Sequence, residues 1–161
     1  MSEKKERAIG KQAITRGTKY LLDFMFYAGI VVTLSLPWSI KWIGNYFADV
    51  KEHYEELVII YFVLGVAAVV LVRELRRIFQ TVLDENCFVM ENVVSLRKMG
   101  NWSFFIVGVS VVRSIVYMAT ATTIVILVVI LVFAIAGLFS KVLAMVFEEA
   151  VRYKEENDLT I

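Results

Sequence analysis

Only one histidine and one cysteine occur in the 161 residues, and their surroundings do not favour catalysis. His53 lies beside Glu52, Glu55 and Glu56, but zinc sites use three or four ligands rich in Cys and His, and no second His or Cys completes such a set. Cys87 cannot form an internal disulfide, and no histidine is expected on its side of the protein to activate it as a nucleophile. The sequence therefore predicts no metal site, no cofactor and no catalytic residue, so the protein is not expected to be an enzyme.

Arg113 is the one charged residue in the apolar stretch 102–120. If this stretch crosses a membrane, a guanidinium in it is energetically unfavourable. Near the centre of a bilayer a charge costs about 2.5 to 3.5 kcal/mol on insertion scales unless it pairs or snorkels, and no Asp or Glu is expected at the same depth. Two interpretations stay open. The side chain either snorkels outward to bond with Thr33, Tyr117 or Thr120, or it contacts an anionic ligand or lipid headgroup in an outward-facing cleft. Arg113 is therefore the candidate ligand-binding residue.

The composition indicates which solvent surrounds these residues. Hydrophobic residues make up 59% of the chain and charged residues 20%, with a mean hydropathy of +0.70, whereas a soluble domain is about 45 to 50% apolar. A helix of about 17 to 25 apolar residues crosses the hydrocarbon core of a bilayer. Four stretches have this character, at about 20–43, 55–75, 102–120 and 122–147. We therefore predict a single-domain, all-α integral membrane protein, a bundle of four transmembrane helices whose first partner is the lipid bilayer.

Basic residues mark one side of the predicted membrane domain. Most of the 17 Lys and Arg residues lie in the N-terminal tail, between the second and third spans, and at the end of the fourth span and beyond. The connection 44–56 is acidic, and the turn near residue 121 has no charge. Since Lys and Arg are retained in the cytoplasm, both termini are predicted to be cytoplasmic. The first span is longer than a signal-peptide core and lacks a small-residue cleavage site, so we expect it to remain as an anchor.

The connection between the second and third spans is much longer than the roughly 2 to 8 residues that join neighbouring helices. Apolar residues recur in it at helical spacing, first as Leu75, Ile78, Phe79 and Val82 and then as Val89, Val93, Leu96 and Met99. Asp84 to Asn86 provide a turn between the two series, and Gly100 is expected to end the second helix. The sequence thus predicts a cytoplasmic helical hairpin over 76–101.

The fourth helix is predicted to extend beyond the bilayer. About 20 residues counted from Thr122 reach Lys141, and an apolar face continues into the acidic tail 148–161. We expect this segment to pack against the basic hairpin. Exposed charge pairs contribute only about 0 to 1 kcal/mol, so apolar contact would decide the docking. The alternative is that the two charged segments are solvated independently.

Two short motifs resemble the signatures of a bacterial membrane-protein family catalogued as domain of unknown function 2975. The first, F-x-x-E-N-x-x-x-L-R-K, is matched by Phe88, Glu91, Asn92, Leu96, Arg97 and Lys98. The second, E-x-D-L-T-[IV], is matched by Asp158, Leu159, Thr160 and Ile161. The chain departs from the family pattern around Phe88, where Cys87 and Val89 replace the Pro and Thr that the family often has. The resemblance covers most of the chain and implies four spans in a bacterial cell membrane.

The same resemblance implies a regulatory role, because members of that family are often encoded beside a small helix-turn-helix regulator. A cytoplasmic protein of that type is therefore the expected partner, and direct contact with nucleic acid is not expected. The candidate partner-binding residues are those of the two motifs, namely Phe88, Glu91, Asn92, Leu96, Arg97, Asp158, Leu159, Thr160 and Ile161.

Three classes of function remain open from the sequence. The favoured one is a regulatory membrane protein whose bundle senses a peptide, a lipid or an envelope state. The second is a small transport or immunity component that handles an amphiphile near Arg113, and the third is a structural accessory subunit. Small residues at 65–68 and 134–137 permit close helix packing, either within one chain or between the copies of a homo-oligomer.

Overall fold

The computed structural model describes residues 2–84, 86–116 and 123–158, with side chains described for 16–48, 50–84, 86–116 and 125–157. These residues form five helices, which are α1 (Ser2–Gly44), α2 (Ala48–Glu52), α3 (Tyr54–Leu83), α4 (Met90–Val116) and α5 (Thr123–Asp158). Each of α1, α3, α4 and α5 contains a segment long and apolar enough to cross a membrane. The predicted all-helical fold with four spanning helices is confirmed at this level.

The four long helices pack as a row in chain order. Helix α1 packs on α3, α3 packs on α4, and α4 packs on α5, while α1 and α5 have no close backbone contact among the described residues. The expected bundle is therefore open on one side. An open row is tolerable in a membrane because lipid tails solvate apolar side chains about as well as another helix does.

Large apolar side chains point away from the row, as Trp38, Phe24 and Phe139 do. Ala67 is completely buried, and some larger apolar side chains such as Leu22 and Ile106 are buried as well. A water-soluble domain of this size buries most of its large apolar residues. The many large apolar side chains that remain exposed here are what a multi-pass membrane protein requires.

Small residues also explain the close packing between neighbouring helices. A Cβ atom added to Gly137 of α5 would lie 3.2 Å from the Cβ of Ser103 on α4, and one added to Gly65 of α3 would lie 2.8 Å from the Oγ1 of Thr33 on α1. The two predicted small-residue segments are therefore used, at least in part, for contacts within one chain.

The prediction that Gly100 ends a helix is wrong, because α4 runs through it without interruption. Gly100 has a packing role instead, since a Cβ atom there would lie 2.9 Å from the Cγ of Lys141 on α5. The two arms of the predicted hairpin are the ends of the long helices α3 and α4. Only the connection 84–89 separates them.

The helices have two chemically distinct ends. We call the end that carries Lys19, Arg73, Arg97 and Lys154 the basic end, and the end that carries α2 and Glu56 the loop end. Helix α4 begins at the basic end and brings Arg113 close to the loop end.

Candidate ligand cavity and partner surface

The side chain of Arg113 is buried among the helices. It is only 6% exposed, and its guanidinium carbon lies 4.9 Å from the centre of the Tyr61 ring on α3. A guanidinium over an aromatic face gains about 0.5 to 2 kcal/mol. Its Nε atom is buried and has no hydrogen-bond partner among the described residues.

The alternative in which Arg113 bonds to Thr33, Tyr117, Thr120 or backbone carbonyls stays a prediction, and the described residues show only what Thr33 does with its proton. The Thr33 hydroxyl donates a hydrogen bond to the carbonyl oxygen of Gly29 at 2.7 Å, within its own helix. The two other predicted partners, Tyr117 and Thr120, lie outside the described residues.

Two spaces meet at Arg113. The first, which we call the central cavity, has a volume of about 320 Å³ and is walled by all four long helices, with Thr33, Tyr61 and Ser110 among its polar lining. The second, which we call the side groove, has a volume of about 640 Å³ and lies between α3 and α4. Gly108 leaves the side groove open because its Cα has no neighbouring atom in the space where a side chain would project.

The walls of both spaces are predominantly apolar around this one cation. The side groove is lined mainly by aliphatic residues and Phe105, with Glu56 at its loop end. No ion pair within 4.0 Å joins Arg113 to Glu56, both of which are described. The arrangement suits an anionic group at the guanidinium, which offers several charge-assisted donors, with a hydrocarbon chain against the groove.

The second candidate site is at the basic end, where α3, α4 and α5 pack together. We call this region the platform and define it as residues 78–84, 86–99 and 143–157. Its apolar core is formed by Ile78, Val93, Leu96, Ala144 and Val151, with Met99, Leu143 and Phe147 packed against it. The end of α5 therefore packs against the ends of α3 and α4, as expected from the apolar faces, while the cytoplasmic location of this packing stays a prediction.

Asn92 and Leu96, two of the candidate partner-binding residues, lie inside the platform. Asn92 is 1% exposed, and its Nδ2 donates to the carbonyl oxygen of Cys87 and to the hydroxyl of Thr81, both at 2.7 Å. These bonds attach the connection before α4 to the end of α3. Leu96 belongs to the apolar core. Their burial makes them supporting residues of the platform rather than parts of its surface.

Phe88, Glu91 and Arg97 are exposed on the platform. Phe88 is 48% exposed although its ring centre lies 5.5 Å from that of Phe147. Arg97 Nη2 lies 2.6 Å from Glu148 Oε2, as the opposite charges of the two segments predict. The side chain of Asp158 and all of Leu159, Thr160 and Ile161 lie outside the described residues.

Sequence reasoning missed an ion pair between α1 and α3. Arg76 Nη2 and Nε both lie 2.6 Å from Asp23 Oδ1, and the Arg76 guanidinium carbon lies 4.5 Å from the centre of the Phe26 ring. Glu74 is also buried, and its Oε2 has no hydrogen-bond partner among the described residues. The two opposite charges of Asp23 and Arg76 are visible in the sequence. Predicting that they pair would have required knowing the register of α1 against α3.

The described residues contain no group of three or more His, Cys, Asp and Glu side chains arranged to hold a metal ion. Cys87 is half-buried in the connection before α4.

The wider relationship of the chain follows from comparison with known proteins. A family model described as "Protein of unknown function (DUF2975)" matches residues 20–161. The chain belongs to this family. The match confirms the resemblance inferred from the two motifs, and it extends over the apolar part of α1, the other helices, the cavity and the platform. No curated protein and no solved structure matches the chain significantly.

Proposed function

We propose that this DUF2975 protein is a non-enzymatic regulatory protein of the bacterial cell membrane. It binds an anionic amphiphile at Arg113 and communicates the occupied state to a cytoplasmic protein of the helix-turn-helix type at the platform. The basic end and both termini are cytoplasmic in this proposal, because Lys and Arg flank the spans at that end. The loop end then faces outward.

The observation that carries the proposal is the buried, incompletely bonded guanidinium of Arg113. A buried cation that has no anionic partner among the described residues is unfavourable, and an anion placed beside it supplies both the opposite charge and the hydrogen-bond acceptors. Nε is buried at the meeting point of two spaces with apolar walls. An amphiphile with an anionic head and a single hydrocarbon chain matches the guanidinium with its head and the apolar walls with its chain.

The link to the platform is provided by helices that are common to both sites. Helix α4 contributes Arg113 to the cavity and Leu96 to the platform core, and α5 contributes Val129 to the cavity and Ala144 to the platform core. Arg113 and Arg97 are separated by about 24 Å at a rise of 1.5 Å per residue. A shift of α4 against α5 at the cavity would therefore change the packing at the platform, as helix shifts do in other switches.

The platform also offers a surface for a soluble partner. Phe88, Met90 and Val94 remain exposed beside the charged residues Glu91 and Arg97. In an aqueous compartment, the free energy falls when a partner covers such apolar side chains. Residues 158–161 are proposed as a further part of this surface, and deleting them should weaken capture of the partner while the four spans remain inserted.

Ligand binding is tested with the full chain in nanodiscs of zwitterionic lipid. Lysophosphatidylglycerol should raise the melting temperature of the wild type, whereas lysophosphatidylcholine of equal chain length should not. Arg113→Leu should weaken the apparent affinity at least tenfold. The matched control is Lys41→Leu, which also removes a cation near the loop end but lies on exposed α1 surface outside the cavity and the groove.

Arg113→Lys separates charge from geometry, because Lys keeps the charge but loses the guanidinium fork. Equal binding of both lysolipids, or equal affinity of wild type and Arg113→Leu, would contradict the proposal. Arg113-dependent movement of the amphiphile across a proteoliposome membrane without any partner would instead support the transport or immunity alternative. An unaltered partner complex in Arg113→Leu with no ligand response would support an accessory subunit.

A further inference from the structure

A second charged pocket lies at the basic end, far from Arg113. It has a volume of about 220 Å³ and is formed where α1 meets α3. Its charged lining consists of Lys19, Asp23, Arg73, Arg76 and Arg77. We call it the basic pocket. Four cations against one carboxylate give its lining an excess of positive charge.

The single carboxylate of the lining is already occupied. Asp23 Oδ1 accepts both contacts from Arg76 at 2.6 Å. Arg77 has a weaker counterion outside the lining, since its Nη1 lies 3.9 Å from Glu74 Oε2, beyond hydrogen-bond distance. These contacts balance the positive charge of Arg76 and, in part, that of Arg77.

The charges of Lys19 and Arg73 are not balanced in this way. Lys19 Nζ donates to Oε1 of Gln80, a neutral amide, at 2.7 Å. The Nε2 of Gln80 lies 3.3 Å from Asp84 Oδ1, so that carboxylate lies beyond the amide rather than beside the lysine. Arg73 is exposed and forms no ion pair within 4.0 Å among the described residues. Two cations on two different helices therefore face the same small space.

The position of the basic pocket along the helices favours a lipid headgroup. Lys19 directly precedes the apolar part of α1, and Arg73 directly follows the apolar stretch 57–72 of α3. The next residues on α1 toward the loop end include Tyr20 and Phe24, which are 74% and 70% exposed. A lipid could therefore lay its acyl chains on this apolar surface and bring its phosphate to the basic pocket, because the two lie next to each other at the end of the apolar segments.

We propose that the basic pocket binds the phosphate group of an anionic phospholipid. Arg73 and Arg77 offer guanidinium forks that match phosphate oxygens, and Lys19 adds a compact charge from the opposite helix. The bound phosphate bridges α1 and α3 at the end where the Arg76–Asp23 pair already joins them. This site is separate from the cavity, because Tyr61 beside Arg113 precedes Arg73 by 12 residues, or about 18 Å along α3.

The experiment compares phosphatidylglycerol with phosphatidylcholine as additives to the purified full chain in mild detergent. Native mass spectrometry counts the retained lipids, and thermal unfolding measures the protection. Phosphatidylglycerol should be retained preferentially and should raise the melting temperature of the wild type. Arg73→Gln should lose at least half of this increase, and Lys19→Gln combined with Arg73→Gln should abolish it.

Lys98→Gln is the matched control, since Lys98 is an exposed cation at the same end but outside the pocket. It should retain the full increase. All variants are also compared in an Arg113→Leu background, so that phosphatidylglycerol bound at the cavity does not contribute to the measured increase. A second arm adds inorganic phosphate or glycerol phosphate in place of lipid. Equal protection by these soluble anions, lost in Arg73→Gln, would support the phosphate site but overturn its assignment to a lipid. Equal protection of Arg73→Gln and Lys98→Gln by phosphatidylglycerol would overturn the site itself.

Discussion

Among the described residues, the platform and the region around Arg113 differ in how their buried polar side chains are hydrogen-bonded. In the platform, the buried amide of Asn92 donates two hydrogen bonds at 2.7 Å and lies next to a continuous apolar core. Near the loop end, the buried Arg113 has a ring beside it but an Nε without a described partner, and open space on two sides. Buried polar groups are normally satisfied. The difference therefore separates a region whose buried amide is satisfied from one in which the described residues leave a buried guanidinium nitrogen without a hydrogen-bond partner.

The first prediction concerns which side of the membrane each region occupies and has an all-or-none outcome. In a Cys87→Ser background, a cysteine at position 52 should react with an impermeant thiol reagent in intact cells, and a cysteine at 154 should not. The physical reason is retention of Lys and Arg in the cytoplasm. Permeabilised cells provide the control, since both positions should react there. External labelling at 154 would place the platform outside and remove the proposed partner.

The second prediction tests whether the platform depends on its apolar core. Leu96→Ala should lower the free energy of unfolding by about 2 to 5 kcal/mol, because it removes a buried side chain and leaves a cavity. Denaturant unfolding in detergent measures the change, and proteolysis at 84–89 reports on the platform. Val94→Ala on the same helix is the control, since Val94 is exposed and its loss should change stability by about 0.5 kcal/mol or less. Similar effects of both changes would mean that the core contributes little.

The third prediction contrasts a tight glycine with an open one. Gly137→Leu should destabilise the protein by about 1 to 3 kcal/mol, because a Cβ at that position already meets Ser103 at 3.2 Å. Gly108→Leu should leave stability nearly unchanged, since nothing lies within 4 Å of a Cβ there. It should nevertheless reduce amphiphile binding by projecting into the side groove. Thermal unfolding and the lysolipid assay measure the two effects, and retained binding in Gly108→Leu would exclude the side groove as the ligand path.

The smallest effect is expected for the exposed ion pair of the platform. Arg97 and Glu148 are in contact at 2.6 Å, but both side chains are about half exposed. A double-mutant cycle with Arg97→Ala and Glu148→Ala should give a coupling energy of about 0 to 1 kcal/mol. A coupling above about 2 kcal/mol would show that charge, rather than apolar burial, docks α5 on the arms of α3 and α4.

Different parts of the fold were predictable to different degrees. The four helices long enough to cross a membrane could be predicted because a long, predominantly apolar run favours a helix in a bilayer. The packing of the end of α5 against the ends of α3 and α4 followed from apolar faces that continue beyond the length needed to cross a bilayer. Gly100 was misinterpreted because a glycine that ends a helix and a glycine that admits a neighbouring side chain look the same in a sequence.

The candidate residues around Asn92 show a similar limit. Sequence similarity marked Phe88, Asn92 and Leu96 alike, although only Phe88 is exposed. Which of them faces outward depends on the direction from which α3 and α5 approach α4, and no property of the motif specifies that direction.

By itself, the sequence determined the number of helices long and apolar enough to cross a membrane, the segregation of charge and the presence of one cation within the third apolar stretch. These properties follow from composition and distance along the chain. Only the tertiary structure decided that the helices form an open row, that Arg113 turns inward to Tyr61, and that Lys19 and Arg73 share a pocket. The physical reason is that these contacts join helices across long sequence separations. Their geometry depends on which small residues allow the backbones to approach, as Gly65 and Gly137 do here.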